Sequence, residues 1–400
     1  MDLKVIEVKT RRELRDFLTL PERLFHNNPH WIAPPSAEDA YLIAKDALDQ
    51  EIIKKGSNPF WKSAYFQLFL ARLNNRTVGR IAAIVDEPYT RARDEMAGFF
   101  GYFDCINKDF VARALFNTAS RWLYKNDMRK VLCPVNPTFN HPIGVLCDAF
   151  KIPPLYGTVW NPPYYPYLYE QAFFIKYRDI KTWTIRKEEF DPARFADAGT
   201  YLHQMNLVLQ NMSLNKNFQQ EMSQLFSLNN RSWISPNSML LSNPHLMEKE
   251  DSDVRGAQFT ERMKRLLPVI DPNLAITARS DKEPFGYIFG IKDLNRAEDQ
   301  VRSTSGIIKA PKRWWLRRKI DTLRVFPPVV NSQLKGLMGI EGLGLEMVLI
   351  SELMKRAFEG KYNTIEFTNV MEINQPLNKV LEYFGMTPTR THRIYERPLQ

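Results

Sequence analysis

The chain repeats a stretch of itself at half its length. Residues 71–86 read Ala-Arg-Leu-Asn-Asn-Arg-Thr-Val-Gly-Arg-Ile-Ala-Ala-Ile-Val-Asp, and residues 278–293 read Ala-Arg-Ser-Asp-Lys-Glu-Pro-Phe-Gly-Tyr-Ile-Phe-Gly-Ile-Lys-Asp. Ala71/Ala278, Arg72/Arg279, Gly79/Gly286, Ile81/Ile288, Ile84/Ile291 and Asp86/Asp293 match without a gap. Each copy reads as a strand, a polar turn and a second strand. Further on, Asn161 and Asn374 each open a short helix-like stretch. A chain that repeats its order of elements in this way predicts two similar domains, which can shape a ligand cleft between them. Four hundred residues suffice for two domains with a core each.

Composition narrows the classes. Hydrophobic content of 44% with 25% charged residues is that of a folded soluble protein. No apolar run approaches the roughly 18 residues of a membrane span, and the opening Met-Asp-Leu-Lys-Val-Ile-Glu-Val alternates like a strand rather than a signal peptide. Cys105, Cys133 and Cys147 are odd in number and lack CxxC spacing, which predicts buried reduced thiols and a cytoplasmic compartment. The six His residues are dispersed, so no metal site is expected. A net charge of +10 favours anionic partners: a phosphorylated small molecule, an anionic membrane face or nucleic acid. Nucleic acid ranks last, because no zinc-finger spacing or aromatic RNA-binding strand accompanies the charge.

Along the chain, strands are expected at 4–8, 64–73, 77–86, 98–105, 130–134 and 179–186 in the first half. Helices are expected at 11–23, 37–55, 109–126 and 165–173. In the helix 109–126, Phe110, Ala114, Leu115, Thr118 and Trp122 fall on one face at helical spacing. The second half opens with helices at 201–211 and 218–230, an irregular stretch 235–253 and a helix at 255–267. After the second hairpin come a basic excursion over 296–324, a strand at 333–338, a helix at 345–359 stopped by Gly360, a strand at 363–368, a helix at 375–384 and a strand at 390–397.

Gly339-Ile-Glu-Gly342-Leu-Gly344 sits between an apolar strand and an amphipathic helix. Glycines there let the backbone approach a ligand, and the N–H groups at the start of the helix then point at a diphosphate. The same spacing also occurs in ordinary loops; its place between strand and helix gives it weight.

This strand–glycine–helix order, followed by a strand and by Asn374-Gln-Pro-Leu-Asn-Lys-Val-Leu-Glu-Tyr-Phe-Gly385-Met386, resembles the core of the GNAT acyl-CoA N-acyltransferases. Their loop is Gln/Arg-x-x-Gly-x-Gly/Ala; Gly339 takes the first place, and Gly342 and Gly344 match the glycines. Where the family's later pattern has a Tyr that protonates the leaving thiolate, this chain has Leu381, with Tyr383 two residues away. The first half resembles the fold more distantly and has no glycine loop. Its segments Pro134-Val-Asn-Pro-Thr-Phe-Asn-His-Pro-Ile-Gly-Val-Leu and Trp160-Asn-Pro-Pro-Tyr-Tyr-Pro-Tyr-Leu-Tyr-Glu, with the ending His392-Arg-Ile-Tyr-Glu-Arg-Pro-Leu399, resemble a bacterial group of double-GNAT proteins that includes ceramide synthases.

The resemblance implies an α/β fold: two tandem GNAT-like domains, each a mixed, mostly antiparallel sheet flanked by helices, forming a pseudo-dimer within the chain. Residues 1–186 are expected as a degenerate N-terminal domain without the diphosphate loop, and 187–400 as a C-terminal domain that carries it. The implied activity is transfer of an acyl group from acyl-CoA, as co-substrate, to an amine such as a long-chain sphingoid amine. Leu337, Met338, Gly339, Gly342, Leu343, Gly344, Leu345 and Asn374 are the implied acyl-CoA residues, with Leu337 and Gly339 the natural oxyanion donors. The chemistry asks for orientation, removal of one proton and backbone N–H groups for the oxyanion. For the amine side the candidates are Asn140, His141, Tyr164 and Tyr165; His141 could titrate near neutrality as a base, with Asp104 and Glu366 as alternatives. Each also has a structural reading, as a loop-fixing His, packing aromatics and strand-end acids.

Lys309-Ala-Pro-Lys-Arg-Trp-Trp-Leu-Arg-Arg-Lys319 holds six cations, two Trp and no acid. That composition suits an anionic membrane surface, peripheral to the inner membrane; a solvated basic face and a site for CoA phosphates are the other readings. A monomer is expected. Two other functions stay open: Fem-type transfer from aminoacyl-tRNA, since those proteins also duplicate this fold, and a catalytically inactive scaffold at the membrane surface.

Overall fold

A computed structural model describes residues 2–33, 59–139, 141–195, 198–232, 249–301, 304, 308–331 and 344–400. Its strands are β1 (Leu3–Glu7), β2 (Ala64–Leu73), β3 (Arg76–Asp86), β4 (Ala97–Cys105), β5 (Lys130–Cys133), β6 (Val145–Leu146), β7 (Ile175–Arg186), β8 (Val208–Asn211), β9 (Ile270–Ser280), β10 (Glu283–Lys292), β11 (Thr322–Val325), β12 (Val329–Val330), β13 (Thr364–Met371) and β14 (Thr387–Pro398). The described residues fall into two compact units. The first takes those up to Asp179, those of 249–258, and Thr391–Gln400; the second takes those from Ile180 to 232 and from Phe259 to Arg390.

In the first unit the strands lie in the order β1-β2-β3-β4-β5-β14. Neighbours are antiparallel except β4 and β5, which run parallel. The β2–β3 hairpin closes on Asn74 and Asn75, both at positive φ (48° and 64°), as a two-residue turn between right-twisted strands requires and Asn tolerates. A side chain at Gly79 would come within 2.7 Å of Leu115 on helix Asp109–Lys125, so the glycine is what lets that helix seat on the sheet. The helix buries Val111, Ala112, Leu115, Phe116, Ala119, Ser120 and Leu123. This corrects the expected face, since Phe110 is exposed. The buried stripe runs through small residues, Ala112, Ala119 and Ser120, that carry little hydrophobic signal but allow close approach, while Phe116 stacks on Phe100 and Phe103.

The second unit repeats this plan in the order β7-β13-β11-β10-β9-β8, with β11 and β13 parallel. Ala278 pairs with Gly286 as Ala71 pairs with Gly79. A side chain at Gly286 would meet Leu345 at 2.9 Å and Leu349 at 3.0 Å on helix Gly344–Glu359. The matched aspartates also act alike. Asp86 accepts from the Tyr89 N–H ahead of helix Glu87–Arg93, and Asp293 accepts from the Asn295 N–H at the start of helix Leu294–Val301. The repeated sequence is thus a repeated piece of architecture, and each unit has its own hydrophobic core.

The final strands cross over in sequence. β7 begins in the first unit and ends in the second, and β14 does the reverse. The first unit is completed by the end of the chain, Tyr395 opposite Cys133 and Glu396 opposite Leu132. The second is completed by the end of the first half, Ile185 opposite Ile365 and Thr184 opposite Glu366.

Two expected elements are corrected. The helix expected over 201–211 ends at Gln204, and Val208–Asn211 is strand β8, paired with β9. Asn206 at φ 50° breaks the helix between them. Within the basic excursion, Thr322–Val325 is an interior strand. The expected helix 37–55 and strand 333–338 lie outside the described residues.

Candidate active site

The two parallel strand pairs occupy equivalent places, and their registers can be overlaid residue by residue. Ala83 and Ile84 face Phe100 and Phe99; Gly290 and Ile291 face Val325 and Arg324. Across the parallel pair, Phe99 faces Leu132, and Arg324 faces Glu366. The position filled by two apolar residues in the first unit therefore carries an arginine and a glutamate in the second. Leu323, Val325, Ile365 and Phe367 belong to the core cluster shared with helix Gly344–Glu359. By strand alternation Arg324 and Glu366 point to the other face.

Glu366 is 3% exposed. Its Oε2 accepts from Arg390 Nη1 at 2.5 Å, and its Oε1 lies 3.4 Å from Arg296 Nη2. Arg296 in turn reaches Asp293, itself buried. Arg324 donates from Nε to Thr368 Oγ1 at 2.9 Å, with its guanidinium 4.6 Å from the Phe326 ring centre. Desolvating this many charges is costly unless each is paired. In the first unit the same face is an aromatic cluster, Phe99 against Tyr89 and Phe139. There the strands are also stitched together past the ladder. The Val135 N–H donates to Phe100 O, and the Tyr102 N–H donates to Asn136 Oδ1 at 2.6 Å, with Tyr102 at φ 51°. Gly101 allows this closeness, because a side chain there would strike Val135 O.

Of the residues expected to hold acyl-CoA, Leu337, Met338, Gly339, Gly342 and Leu343 lie outside the described residues. Gly344 and Leu345 open the helix Gly344–Glu359, with Leu345 buried against Gly286. Asn374 caps helix Gln375–Tyr383 by accepting from the Leu377 N–H. Leu381 is fully buried in the core, and Tyr383 is exposed against Phe384. Asn161, matched to Asn374 in the sequence, does a different job: it bonds both backbone groups of Leu146 on β6.

For the amine side, the structure brings Tyr164 and Tyr165 together at the end of β4. Tyr164 Oη donates to Cys105 O at 2.8 Å; Tyr165 Oη donates to Asp104 Oδ1 at 3.1 Å and accepts from the Cys105 N–H at 3.0 Å. Burial, with Asp104 nearby, pushes the Tyr165 phenol far above its ordinary pKa; burial does the same to Tyr164. Both are neutral donors across any physiological pH. Asp104 is also paired with Arg80 at 2.7 Å. His141 belongs to another loop, its Nδ1 hydrogen-bonded to Thr138 Oγ1 at 2.9 Å. Asn140 lies outside the described residues. Arg324 and Arg296 were passed over in the sequence because charge in 296–324 reads as surface, and Arg390 because it opens the last expected strand. The signal that could have found Arg324 is the overlay of the two registers.

The sequence and this architecture can now be set beside known proteins. The chain is 26% identical to a protein named bacterial ceramide synthase from Caulobacter vibrioides, over all of this chain and 98% of that one. It is 24% identical to protein YghO from Escherichia coli, over 97% of this chain and 94% of that one. No protein-family model matches it. Among solved structures, a tandem GNAT protein from the clavulanic acid biosynthesis pathway overlays at a TM-score of 0.53 and 12% identity, over 100% of this chain and 99% of that one. The chain has the tandem GNAT fold. The resemblance drawn from the glycine loop and the last helix therefore holds at the level of the fold. No described helix is long and apolar enough to cross a membrane.

Proposed function

We propose that the protein is an N-acyltransferase that moves an acyl group from acyl-CoA to an amine, and that the amine is a long-chain, sphingoid-type amino alcohol. The observation that carries this reading is similarity over the whole length of a protein named for ceramide synthesis, on a chain with the tandem GNAT fold. In this reading residues 187–400 bind acyl-CoA through Leu337, Met338, Gly339, Gly342, Leu343, Gly344, Leu345 and Asn374, and residues 1–186 form the degenerate repeat. The start of a sixteen-residue helix behind the glycines suits a diphosphate. Asn140, His141, Tyr164 and Tyr165 serve the amine, with His141 taking its proton as nitrogen attacks the thioester carbon and the C–S bond breaks. The protein works in the cytoplasm, peripheral to the inner membrane.

The test is to give the purified chain long-chain acyl-CoA and a sphingoid amine and to follow free CoA and amide by mass. His141→Ala should lower turnover by ~10²–10⁴-fold while acyl-CoA affinity is kept. Normal turnover would remove His141 from the chemistry. One feature favours the inactive-scaffold reading: Leu381, buried, stands where the family has its proton-donating Tyr. CoA binding without acylation of any amine in a broad panel would overturn the acceptor class; binding of neither CoA nor aminoacyl-tRNA would select the scaffold reading.

A further inference from the structure

Helix Lys309–Arg318 is built with two unlike sides. On one, Leu316 is buried with Ala297, Val301 and Ile320, and Arg313 and Arg317 both reach Glu298, at 3.0 and 2.9 Å. Lys312 donates to Thr304 Oγ1 at 3.0 Å. These bonds fix the helix against its neighbour and engage three of the six cations of the segment. On the other side Ile308, Trp314 and Trp315 are 62%, 57% and 49% exposed. Two of the remaining three cations lie beside those rings: the Arg318 guanidinium is 3.6 Å from the Trp314 ring centre, and the Lys319 ammonium 3.7 Å from that of Trp315.

We propose that this face docks the protein on the headgroup layer of an anionic lipid bilayer. Ile308, Trp314 and Trp315 enter the interface, and Arg318 and Lys319 meet lipid phosphates. Three observations point to lipid. Tryptophan beside arginine or lysine is the pairing that an interface rewards, with an apolar body and a polar edge in one layer. An exposed isoleucine has an apolar use there and none on a polyanion in water. Each indole already carries one of the chain's own cations on a face, which leaves less ring for the base stacking that single-stranded nucleic acid uses. Ten residues are too few to span a bilayer, which takes about 20, so the helix lies on the surface. The proposal deepens the lipid-amine reading, because it places the protein where such a substrate is dissolved.

The test uses the full chain with no acyl-CoA or amine, so it stands whether or not the enzyme reading does. Binding to vesicles of phosphatidylcholine, with and without phosphatidylglycerol, is measured by sedimentation at low and high salt. The parent should bind only the anionic vesicles and be released by salt. Arg318→Gln with Lys319→Gln should weaken binding by roughly 10–100-fold, and Trp314→Ala with Trp315→Ala should release the protein. Lys125→Gln with Lys151→Gln, an equal loss of charge elsewhere, should leave binding as it was. All these positions are exposed, and unchanged thermal unfolding checks the fold. Equal sedimentation of the parent and both helix variants would overturn the proposal. So would tighter binding to a single-stranded oligonucleotide than to anionic vesicles.

Discussion

Where Phe99 faces Leu132 in the first unit, Arg324 faces Glu366 in the second. The two units share a strand order, hairpins that match in register and a glycine that seats a helix, yet at this place they part. The first fills the face beside its parallel strands with aromatic rings and ties the strands together through Val135 and Asn136. The second places there a buried network of arginines and acids. A duplicated fold needs only one set of chemistry. Apolar residues bring no charge to desolvate, whereas each charge that the second unit buries must be paired. The comparison teaches which copy to interrogate.

The largest expected effect breaks the network. Glu366→Leu places the first unit's residue in the second unit and leaves Arg390 and Arg296 without their shared carboxylate. It should destabilise the protein by about 3–5 kcal/mol, read by urea denaturation. Adding Arg390→Met should recover much of that loss, because a buried pair replaced by apolar residues is often neutral. If the network serves the reaction, acyl transfer stays lost in the double variant. Recovered activity would make the charges purely structural.

A smaller effect tests the shared plan. Gly79→Ala and Gly286→Ala each push a methyl onto a leucine of the underlying helix and should each cost about 1–3 kcal/mol in stability. They should differ in one respect. Gly286→Ala presses on Leu345 at the start of the proposed acyl-CoA helix and should also weaken acyl-CoA binding; Gly79→Ala should not. Equal effects on binding would erase the distinction between the units.

The smallest effect concerns acid. Burial alone would raise the Asp179 carboxyl, but bonds from Arg393, at 2.8 and 3.1 Å, and from Lys176 hold it below its ordinary value. Its folded pKa is depressed, so its contribution is present above the unfolded value, about pH 4, and is lost as pH falls through the folded value. Asp179→Asn should therefore melt lower than the parent at neutral pH, with the gap closing below about pH 4. A gap that does not change with pH would contradict this.

Much of this architecture was legible in the sequence. The hairpins were, because alternation, turn residues and the matched glycines all agree. The fold was, because the order of elements repeats at half the chain's length. The buried face of helix Asp109–Lys125 was not, since Ala112, Ala119 and Ser120 are recognised as core only when the strands they approach are known. β11 was hidden because Arg324 looks like surface, and its burial depends on Thr368, Glu366 and Phe326 from elsewhere in the chain. Tyr164 and Tyr165 are neighbours in the sequence, but their joint bonding at Asp104 and Cys105 is a long-range fact that no local pattern announces.

The central claim is that one unit of the two binds acyl-CoA. Titration calorimetry of the full chain with a long-chain acyl-CoA tests it most directly, run on the parent, on Gly344→Glu, and on Lys108→Glu at the equivalent helix start of the first unit. The account predicts one site per chain in the parent, no binding in folded Gly344→Glu through sterics and charge, and parent-like binding in Lys108→Glu. Two sites per chain, or undiminished binding in folded Gly344→Glu, would contradict it.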